Sequence, residues 1–540
     1  MGVVIESSVW EPSSSVYVFI FLSCFLSLAF FPYYFSKHAP TKSSPFSDNS
    51  TSSSSLRFQR YFLFLYSLAS VLEGLWSVYG EFELVYYGIS KEETVSFLCI
   101  GFGAALFVGS FLGLLSDLIG RKKTCLVFCI LHLIVGIWKR ITSSPSFWVA
   151  NVCLSLATSI FSFGFETWAV DEIDKQGHRQ DVLHETFWLM TFFESAALIG
   201  SQVIGNWLVG SGNLEKGIAS PSTAAILLAI VGIIVMSKGY KGTPRSMTFK
   251  DYRASFCACV LGDRRIWLMA CAQACLYFSV AVFWILWAPT LVADGREVYL
   301  GLIYPCFLGA RMLGSTVFPW LINASIRTED CLVYAFTIQG LLLSIIAYDY
   351  QEIGVLVTQF SLFHVCIGLI LPSLARLRTM YVPNELRGGM ITLSLAPANA
   401  AILIILMQAD QEVFWDGLGK WGKLTMINSA IVFSLVHVLI ILAQCTEGTI
   451  ENSTMIAFAA IGLFIAAGCM HVLKRRQAFN ICRQYKGKNV LRNNQSILYP
   501  HRISTQILQA KRTIALSTND KVQYKGGLMQ WWPLIVKRIH

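Results

Sequence analysis

The chain has 540 residues, of which 55% are hydrophobic and 14% are charged. Water-soluble domains carry about 25% charged residues, so a soluble fold would leave much of this apolar surface in water. We therefore predict an integral membrane protein. The formal net charge of +10 does not indicate a nucleic-acid partner, because much of the excess lies in short loops beside apolar segments, as it does in membrane proteins whose basic loops face the cytosol.

Apolar segments of about 20 residues, the length that crosses a hydrocarbon core, recur along almost the whole chain. Because backbone groups in lipid must be paired internally, we predict that these segments are helices and that the architecture is all-α. The candidate spans, about fourteen by this length criterion, are 16–35, 61–79, 95–115, 125–141, 147–168, 187–209, 224–236, 267–289, 301–321, 332–347, 355–371, 390–407, 426–443 and 455–471.

The longest hydrophilic break is rich in Lys and Arg and is predicted to lie in the cytosol. With the first and last candidates set aside, six spans precede this break and six follow it. A span at 455–471 would export the basic tail that follows, so three alternatives stay open: the segment lies in the interface, it re-enters, or the tail is atypical. We predict five regions: an extra N-terminal span with a Ser-rich loop (1–58), a six-helix bundle (59–237), a basic cytoplasmic linker (238–265), a second six-helix bundle (266–443), and a possible extra span with a basic tail (444–540).

A short motif, Gly113-Leu-Leu-Ser-Asp117-Leu-Ile-Gly120-Arg121-Lys-Lys, follows the second span of the first bundle. Gly113 lets a neighbouring helix approach, and Asp117 can meet a helix N-terminus. Gly120 permits a tight turn, and Arg121 offers a fork of donors. The motif resembles the G-x-x-x-D-x-x-G-R-K motif of the major facilitator superfamily. The resemblance implies two six-helix bundles and a cytoplasmic latch between them, to which we assign Gly113, Asp117, Gly120, Arg121, Glu166 and Arg387.

Further segments resemble a narrower group, the molybdate-anion transporter family, loosely from about residue 56 to residue 443. They include Phe165-Glu-Thr-Trp168, Ile285-Leu-Trp-Ala-Pro289, Pro383-Asn-Glu-Leu-Arg387 and Pro397-Ala-Asn399. The resemblance implies a secondary transporter of molybdate or a similar oxyanion.

Three positions depart from that family. Asn151 and Leu395 stand where the family usually has arginine, and Tyr277 stands where it usually has glutamate. A doubly charged anion that leaves water needs donors and positive charge in its place. The two lost arginines therefore weaken the inference about substrate while leaving the inference about transport intact.

Ionisable residues inside predicted spans are costly, so each is a candidate for function. Arg311 is expected to pair with a buried carboxylate such as Glu73 or Glu194, or to face a wet cavity. We predict that Arg311 contacts an anionic or carboxylate group of the substrate. Glu73 or Glu194 is predicted to take up a coupling proton, because burial favours the protonated form of a carboxyl group. Other candidates for the cavity are Gln273, Trp284, Trp287 and Asn399, whereas His364 is more often a packing residue.

The sequence contains no Walker loop, no H-E-x-x-H or G-x-S-x-G motif and no Cys/His cluster. We therefore predict a transporter rather than an enzyme, with no cofactor and no bound metal. It is expected to be a multi-pass protein of the plasma membrane or an internal membrane, working by alternating access, with the lipid bilayer, a small anion and protons as partners. Two alternatives stay open: a proton-coupled carrier of a small organic solute, and a membrane scaffold or receptor-like protein that transports nothing.

Overall fold

The structure is a computed structural model that describes residues 49–86, 91–141, 147–175, 180–210, 221–238, 248–292, 298, 300–324, 326–348, 353–409 and 452–495. The predicted spans 16–35 and 426–443 lie outside these residues. The chain divides into two compact units, Met1–Lys474 and Arg475–His540. In the second unit the described residues are the end of the last helix, which reaches Gln495.

The first group of helices packs around an aromatic core that includes Phe62, Phe128 and Phe165. The helices are α1 (Asn49–Tyr86), α2 (Lys91–Ala104), α3 (Ser110–Ile119), α4 (Arg121–Ile141), α5 (Phe147–Lys175), α6 (Gln180–Gly210) and α7 (Pro221–Lys238). A π-helical turn joins α2 to α3, so that the two form one span. Helix α1 packs against α6 and α7, and α4 packs against α5 and α7.

A short helix, α8 (Phe249–Gly262), lies within the basic linker, where the sequence analysis predicted no helix. Thr248 caps its N-terminus, since the Thr248 hydroxyl accepts a hydrogen bond from the backbone N–H of Asp251 at 3.3 Å. The remaining helices are α9 (Arg264–Leu291), α10 (Leu300–Asn323), α11 (Thr328–Tyr348), α12 (Ile353–Tyr381), α13 (Arg387–Ala409) and α14 (Asn452–Gln495).

Among the described residues, helix α14 is the sixth helix of the second group. Its apolar residues, among them Ala459, Leu463 and Met470, are buried in the same core as those of α9 to α13. The hydroxyl of Ser279 on α9 donates to the carbonyl oxygen of Ala459 at 2.9 Å. The segment Ser453–Arg476 is long and apolar enough to cross a membrane. The domain limits given above stay predictions, since 426–443 is not described.

Among the described residues, eleven helices are long and apolar enough to span a membrane, and α1 packs with them. The predicted all-α membrane fold is confirmed. Several helices run past the predicted spans: α5 continues to Lys175 and α12 to Tyr381. Their polar ends continue as helix beyond the apolar stretch that hydropathy detects. Helix α1 begins at Asn49, within a segment that the sequence predicted as a loop.

The two groups of helices meet at two places. Helices α2 and α3 pack against α13, and α6 packs against both α10 and α12. A small apolar cluster, which includes Trp188, Phe192, Leu308 and Met312, fills the space between α6 and α10.

Within the second group, α10 and α12 approach closely at two glycines. A Cβ atom on Gly314 would overlap the carbonyl oxygen of Val365, and one on Gly368 would overlap that of Arg311. Small residues at such crossings let helices pack tightly in a bilayer, where apolar burial does not drive association.

We expect Gly368→Ala to lower the melting temperature of the detergent-purified protein, because α10 must move and overpacking costs about 1–3 kcal/mol. The matched control is Gly200→Ala on α6, where nothing lies within 4 Å of the added Cβ. This control should leave stability unchanged or raise it, since Ala favours a helix by about 1 kcal/mol over Gly. Equal melting temperatures for the two variants would contradict the close packing.

Candidate functional site

The centre of the molecule contains an ion pair that joins the two halves. The Arg311 guanidinium on α10 donates to a carboxylate oxygen of Glu194 on α6, with Nη2 and Oε1 2.6 Å apart. The hydroxyl of Tyr66 on α1 donates to the other Glu194 oxygen at 2.5 Å. The side chains of Arg311 and Glu194 are 12% and 17% exposed. Of the two acidic partners predicted for Arg311, the structure brings Glu194 to it.

Aromatic rings line the α9 and α10 side of this centre. Trp284 lies 5.5 Å from Tyr304 and 5.4 Å from the His364 ring, centroid to centroid. Trp287 contacts Tyr304 and Phe307. The His364 ring stacks on Phe307 at 5.2 Å, and its Nδ1 lies 2.9 Å from the carbonyl oxygen of Phe360. His364 is thus packed among aromatic rings, as a structural histidine would be.

Glu73 lies in a separate place within the first group of helices. Its Oε1 accepts a hydrogen bond from Thr158 on α5, and its Oε2 lies 3.3 Å from Nε2 of His132 on α4. His132 is completely buried, and the Phe128 ring lies 4.5 Å from it, centroid to centroid. Glu73 and Glu194 therefore differ in environment: one faces a histidine and the other a permanent cation.

Gln273 and Asn399 do not contact Arg311 in this structure. The Gln273 side-chain oxygen accepts a hydrogen bond from Arg378 at 3.1 Å, beside a cavity of about 10 Å³ that has room for roughly one water. Asn399 on α13 is 4% exposed, and its side-chain oxygen has no hydrogen-bond partner among the described residues.

The motif residues meet at one end of the molecule, where α3 ends, α8 lies and α13 begins; we call this the basic end. The Asp117 carboxylate accepts hydrogen bonds from the backbone N–H groups of Gly388 and Gly389, at 3.2 and 2.9 Å. These groups belong to the first turn of α13, where the helix dipole favours a negative charge. Tyr252 of α8 also donates to Asp117, at 3.1 Å. A Cβ on Gly113 would overlap the carbonyl oxygen of Gly388, so this glycine permits the contact between α3 and α13.

Arg121 connects three segments at the basic end. It donates to the carbonyl oxygen of Thr167 at 3.0 Å and to that of Asn384, and it lies 3.3 Å from Asp117. Gly120 has φ of +118°, a backbone conformation that favours glycine, and this turn brings Arg121 back to Asp117.

Glu166 is the acidic centre of a second network at the basic end. Arg378 of α12 binds both Glu166 oxygens, with Nε 2.8 Å from Oε1, and Arg387 of α13 lies 3.9 Å from the same carboxylate. The Arg387 side chain is fully buried. Breaking a buried pair by removing one partner costs about 3–5 kcal/mol, so this network holds α5 to α12 and α13.

Four of these side chains were not singled out from the sequence: Tyr66, His132, Tyr252 and Arg378. A usable signal existed for His132, because it is an ionisable residue inside a predicted span. Arg378 lies beyond the predicted end of its span at 371 and carried no such signal. The two tyrosines act through contacts between distant helices, which hydropathy does not reveal.

Comparisons with known proteins agree with this architecture. A major facilitator family model described as sugar transporters with twelve transmembrane segments matches residues 20–365. The molybdate-anion transporter of Xenopus tropicalis is 24% identical over 356 residues, which are 63% of this chain and 77% of that protein. The molybdate-anion transporter of Danio rerio is 24% identical over 425 residues, which are 73% and 88% of the two chains.

The fold is similar to that of the Escherichia coli fucose:proton symporter, with a TM-score of 0.57 and 12% identity over 78% of this chain and 99% of that one. A second structure of that transporter, in the outward conformation, gives a TM-score of 0.53. The family model covers more than half of the sequence, and the structure has the corresponding paired bundles of helices. The chain therefore belongs to the major facilitator superfamily and is a multi-pass membrane transporter.

Proposed function

We propose that the protein carries a small oxyanion across its membrane by alternating access, with Arg311 as the contact for the anion. The observation that supports this proposal is the Arg311–Glu194 pair, which lies near the middle of α10 and α6 and bridges the two halves. In carriers of this kind the substrate binds near the midplane, between the repeats. The names of the curated relatives make molybdate the first oxyanion to test.

In the resting site, Glu194 occupies the position that the substrate anion would take. Its carboxylate accepts hydrogen bonds from the Arg311 guanidinium and from the Tyr66 hydroxyl. An arriving anion displaces Glu194 from Arg311 and takes over those donors, so the resting site never contains a bare buried cation. Because Glu194 and Arg311 lie on opposite halves, this exchange of partners changes the contact between the halves at the moment of binding.

A single guanidinium at the centre can neutralise only one negative charge of a bound anion. Asn151, at a position where the resembling family has arginine, donates to the carbonyl oxygen of Phe97, and Leu395, at the other, is buried. A dianion at Arg311, together with the displaced Glu194 carboxylate, therefore leaves two uncompensated negative charges. A proton carried with the anion offsets part of that excess, which favours proton coupling over simple anion uniport.

The aromatic rings of Trp284, Trp287 and Tyr304 support a second candidate substrate class, a small organic solute with a carboxylate. They lie on α9 and α10, and Tyr304 is two helical turns from Arg311, about 10 Å along the axis. An organic substrate would place its carboxylate on Arg311 and its apolar part against these rings.

At the basic end, Gly113, Asp117, Gly120, Arg121, Glu166 and Arg387 are proposed to form the gate. Opening this end separates Asp117 from α13 and Glu166 from Arg378 and Arg387. Burial and the nearby Asp117 charge raise the pKa of the Tyr252 hydroxyl. Tyr252 therefore stays protonated, and its bond to Asp117 persists across the physiological pH range.

In proteoliposomes, Arg311→Ala is expected to lower tracer molybdate uptake by more than about tenfold, because truncating one partner of a buried charge pair costs about 2–5 kcal/mol. Arg311→Lys retains the charge without the planar fork and should keep partial uptake. The control is Arg140→Ala, whose guanidinium bonds Thr223 on α7. Molybdate uptake at the wild-type rate in Arg311→Ala would contradict the proposed contact.

The wild-type protein in the same assay separates the alternatives. Competition by excess sulfate is expected for an oxyanion carrier, whereas competition by small organic acids without sulfate competition would favour the second class. If wild-type proteoliposomes accumulate nothing across such a panel, the transport proposal fails and the scaffold alternative gains support.

Closure of the basic end is testable by cross-linking. Asn384 donates to Asp174 at 2.8 Å across the two halves. In a Cys257→Ser background, which removes an exposed thiol, the pair Asp174→Cys and Asn384→Cys should react with a short bifunctional maleimide and lose transport. Adding Asp117→Asn is expected to lower the cross-linking yield, because α13 loses a charged acceptor at its N-terminus.

The control for that change is Asp263→Asn, whose carboxylate caps its own helix at the Arg265 N–H. It should leave the cross-linking yield unaltered. If Asp117→Asn gives the same yield as Asp263→Asn, Asp117 does not hold this end closed.

A further inference from the structure

The Glu73–His132 pair is the one buried acid–base contact in the described first group of helices that the substrate site and the gate leave unused. Glu73 Oε2 and His132 Nε2 face each other at 3.3 Å. Neither atom has another hydrogen-bond partner among the described residues, and His132 Nδ1 has none. Two buried polar groups in this arrangement need one shared proton to become a satisfied pair.

The contrast with Glu194 shows which carboxylate is suited to bind a proton. Glu194 accepts hydrogen bonds from a permanent guanidinium and from a tyrosine hydroxyl, and both stabilise its ionised form. Glu73 faces an imidazole nitrogen and a threonine hydroxyl, neither of which is a permanent cation. Without a proton, the Glu73–His132 pair carries one negative charge with no fixed cation opposite; with one proton, the pair is neutral as a whole.

Access to this pair is one-sided. The Glu73 side chain is 22% exposed and Thr158 is exposed, whereas His132 is fully buried behind Phe128. A proton that enters this site therefore meets Glu73 before it meets His132. His132 then shares it from the protein side and holds it out of solvent.

The main charged groups on the surrounding helices have partners of their own. They are Glu194 on α6, bound to Arg311; Glu166 on α5, bound to Arg378; Lys139 on α4, over the Trp76 ring; Arg140 on α4, bound to Thr223; and Asp117 on α3, bound to α13. Titratable side chains on these helices also include the thiols of Cys125 and Cys129 on α4 and Cys153 on α5. Helix α7 has only apolar residues between Ala225 and Val235.

We propose that Glu73 and His132 together form the binding site of a co-transported proton, with Thr158 as a positioning residue. The inference rests on the proposed transport function and assigns the coupling proton to this pair rather than to Glu194. One proton from water binds between Glu73 Oε2 and His132 Nε2 in the loaded state, and it returns to water on the other side of the membrane. It offsets part of the excess negative charge that a dianion at Arg311 brings, so proton and anion each favour binding of the other.

The test uses the full chain in proteoliposomes with tracer molybdate, and it measures accumulation driven by an imposed pH gradient separately from exchange of molybdate without a gradient. Glu73→Gln imitates the protonated carboxyl group. It should lose accumulation driven by the gradient and keep exchange. His132→Gln should lose the gradient response in the same way. Glu93→Gln and His471→Gln, both exposed, are the controls and should keep both activities.

Arg311→Ala distinguishes this proposal from the function on which it rests, because loss of the anion contact removes exchange and accumulation together. A pH gradient that still drives accumulation in Glu73→Gln would overturn the proton assignment while leaving the transport proposal standing. Thr158→Ala, which keeps both titratable groups, provides a milder variant if His132→Gln does not fold, and it should shift the pH at which accumulation is half-maximal.

A measurement without substrate tests the shared proton even if the protein does not transport molybdate. Infrared difference spectra of the purified protein, recorded between mildly acidic and mildly alkaline pH, should contain a carboxyl or imidazole titration that disappears in Glu73→Gln and in His132→Gln alike. The same titration persisting in both variants would refute the shared proton.

Discussion

A buried guanidinium must be met by a carboxylate, and for Arg311, Arg378 and Arg387 the two lie on opposite halves of the molecule. Arg311, Arg378 and Arg387 belong to the second group of helices, and the acids that meet them, Glu194 and Glu166, belong to the first. Asp117 of the first group likewise binds the start of α13. At these contacts the acids belong to the first half and the positive groups to the second; Arg121, which pairs with Asp117 on its own half and donates to the carbonyl oxygen of Asn384, is an exception. Because the partners are buried, the halves cannot separate without exposing them to water or finding replacements.

The ion pairs at the centre and those at the basic end respond differently when the two halves move apart. At the basic end both partners are protein groups, so separation must be offset by new contacts elsewhere. In the exchange proposed for the centre, an anion that enters the site replaces Glu194, so the Arg311 guanidinium keeps a partner. A carrier that exchanges one partner for another in this way lowers the cost of the intermediate states.

Within the described part of the chain, hydropathy was sufficient for the existence and order of the spans, because hydrocarbon imposes one length and one composition on each of them. It failed at the ends of α5 and α12 and at the linker helix α8, where the chain leaves the apolar layer and helices are stabilised by caps and side-chain contacts instead. The sequence narrowed the partner of Arg311 to Glu73 or Glu194 but could not choose, since both lie at suitable depth. Gln273 was expected near Arg311 and lies beside Arg378, because the rotation of α9 about its axis follows from packing with α13. Position in sequence also gave no reason to associate His132 with Glu73, as α1 and α4 are separated by α2 and α3.

The π-helical turn at Ala105–Gly109 sets the direction in which Asp117 points. A π turn holds one residue more than an α turn, so every side chain from Ser110 to Ile119 is rotated by about 100° from where an unbroken α-helix would carry it. Both parts of this span pack against α5 and α13, with Gly109 against Ser159, and the part after the π turn presents Asp117 to the start of α13. The extra residue thus sets which side chains of that part meet α13. Shortening that turn by one residue would leave the membrane span nearly as long and turn its acidic group away from the helix it caps.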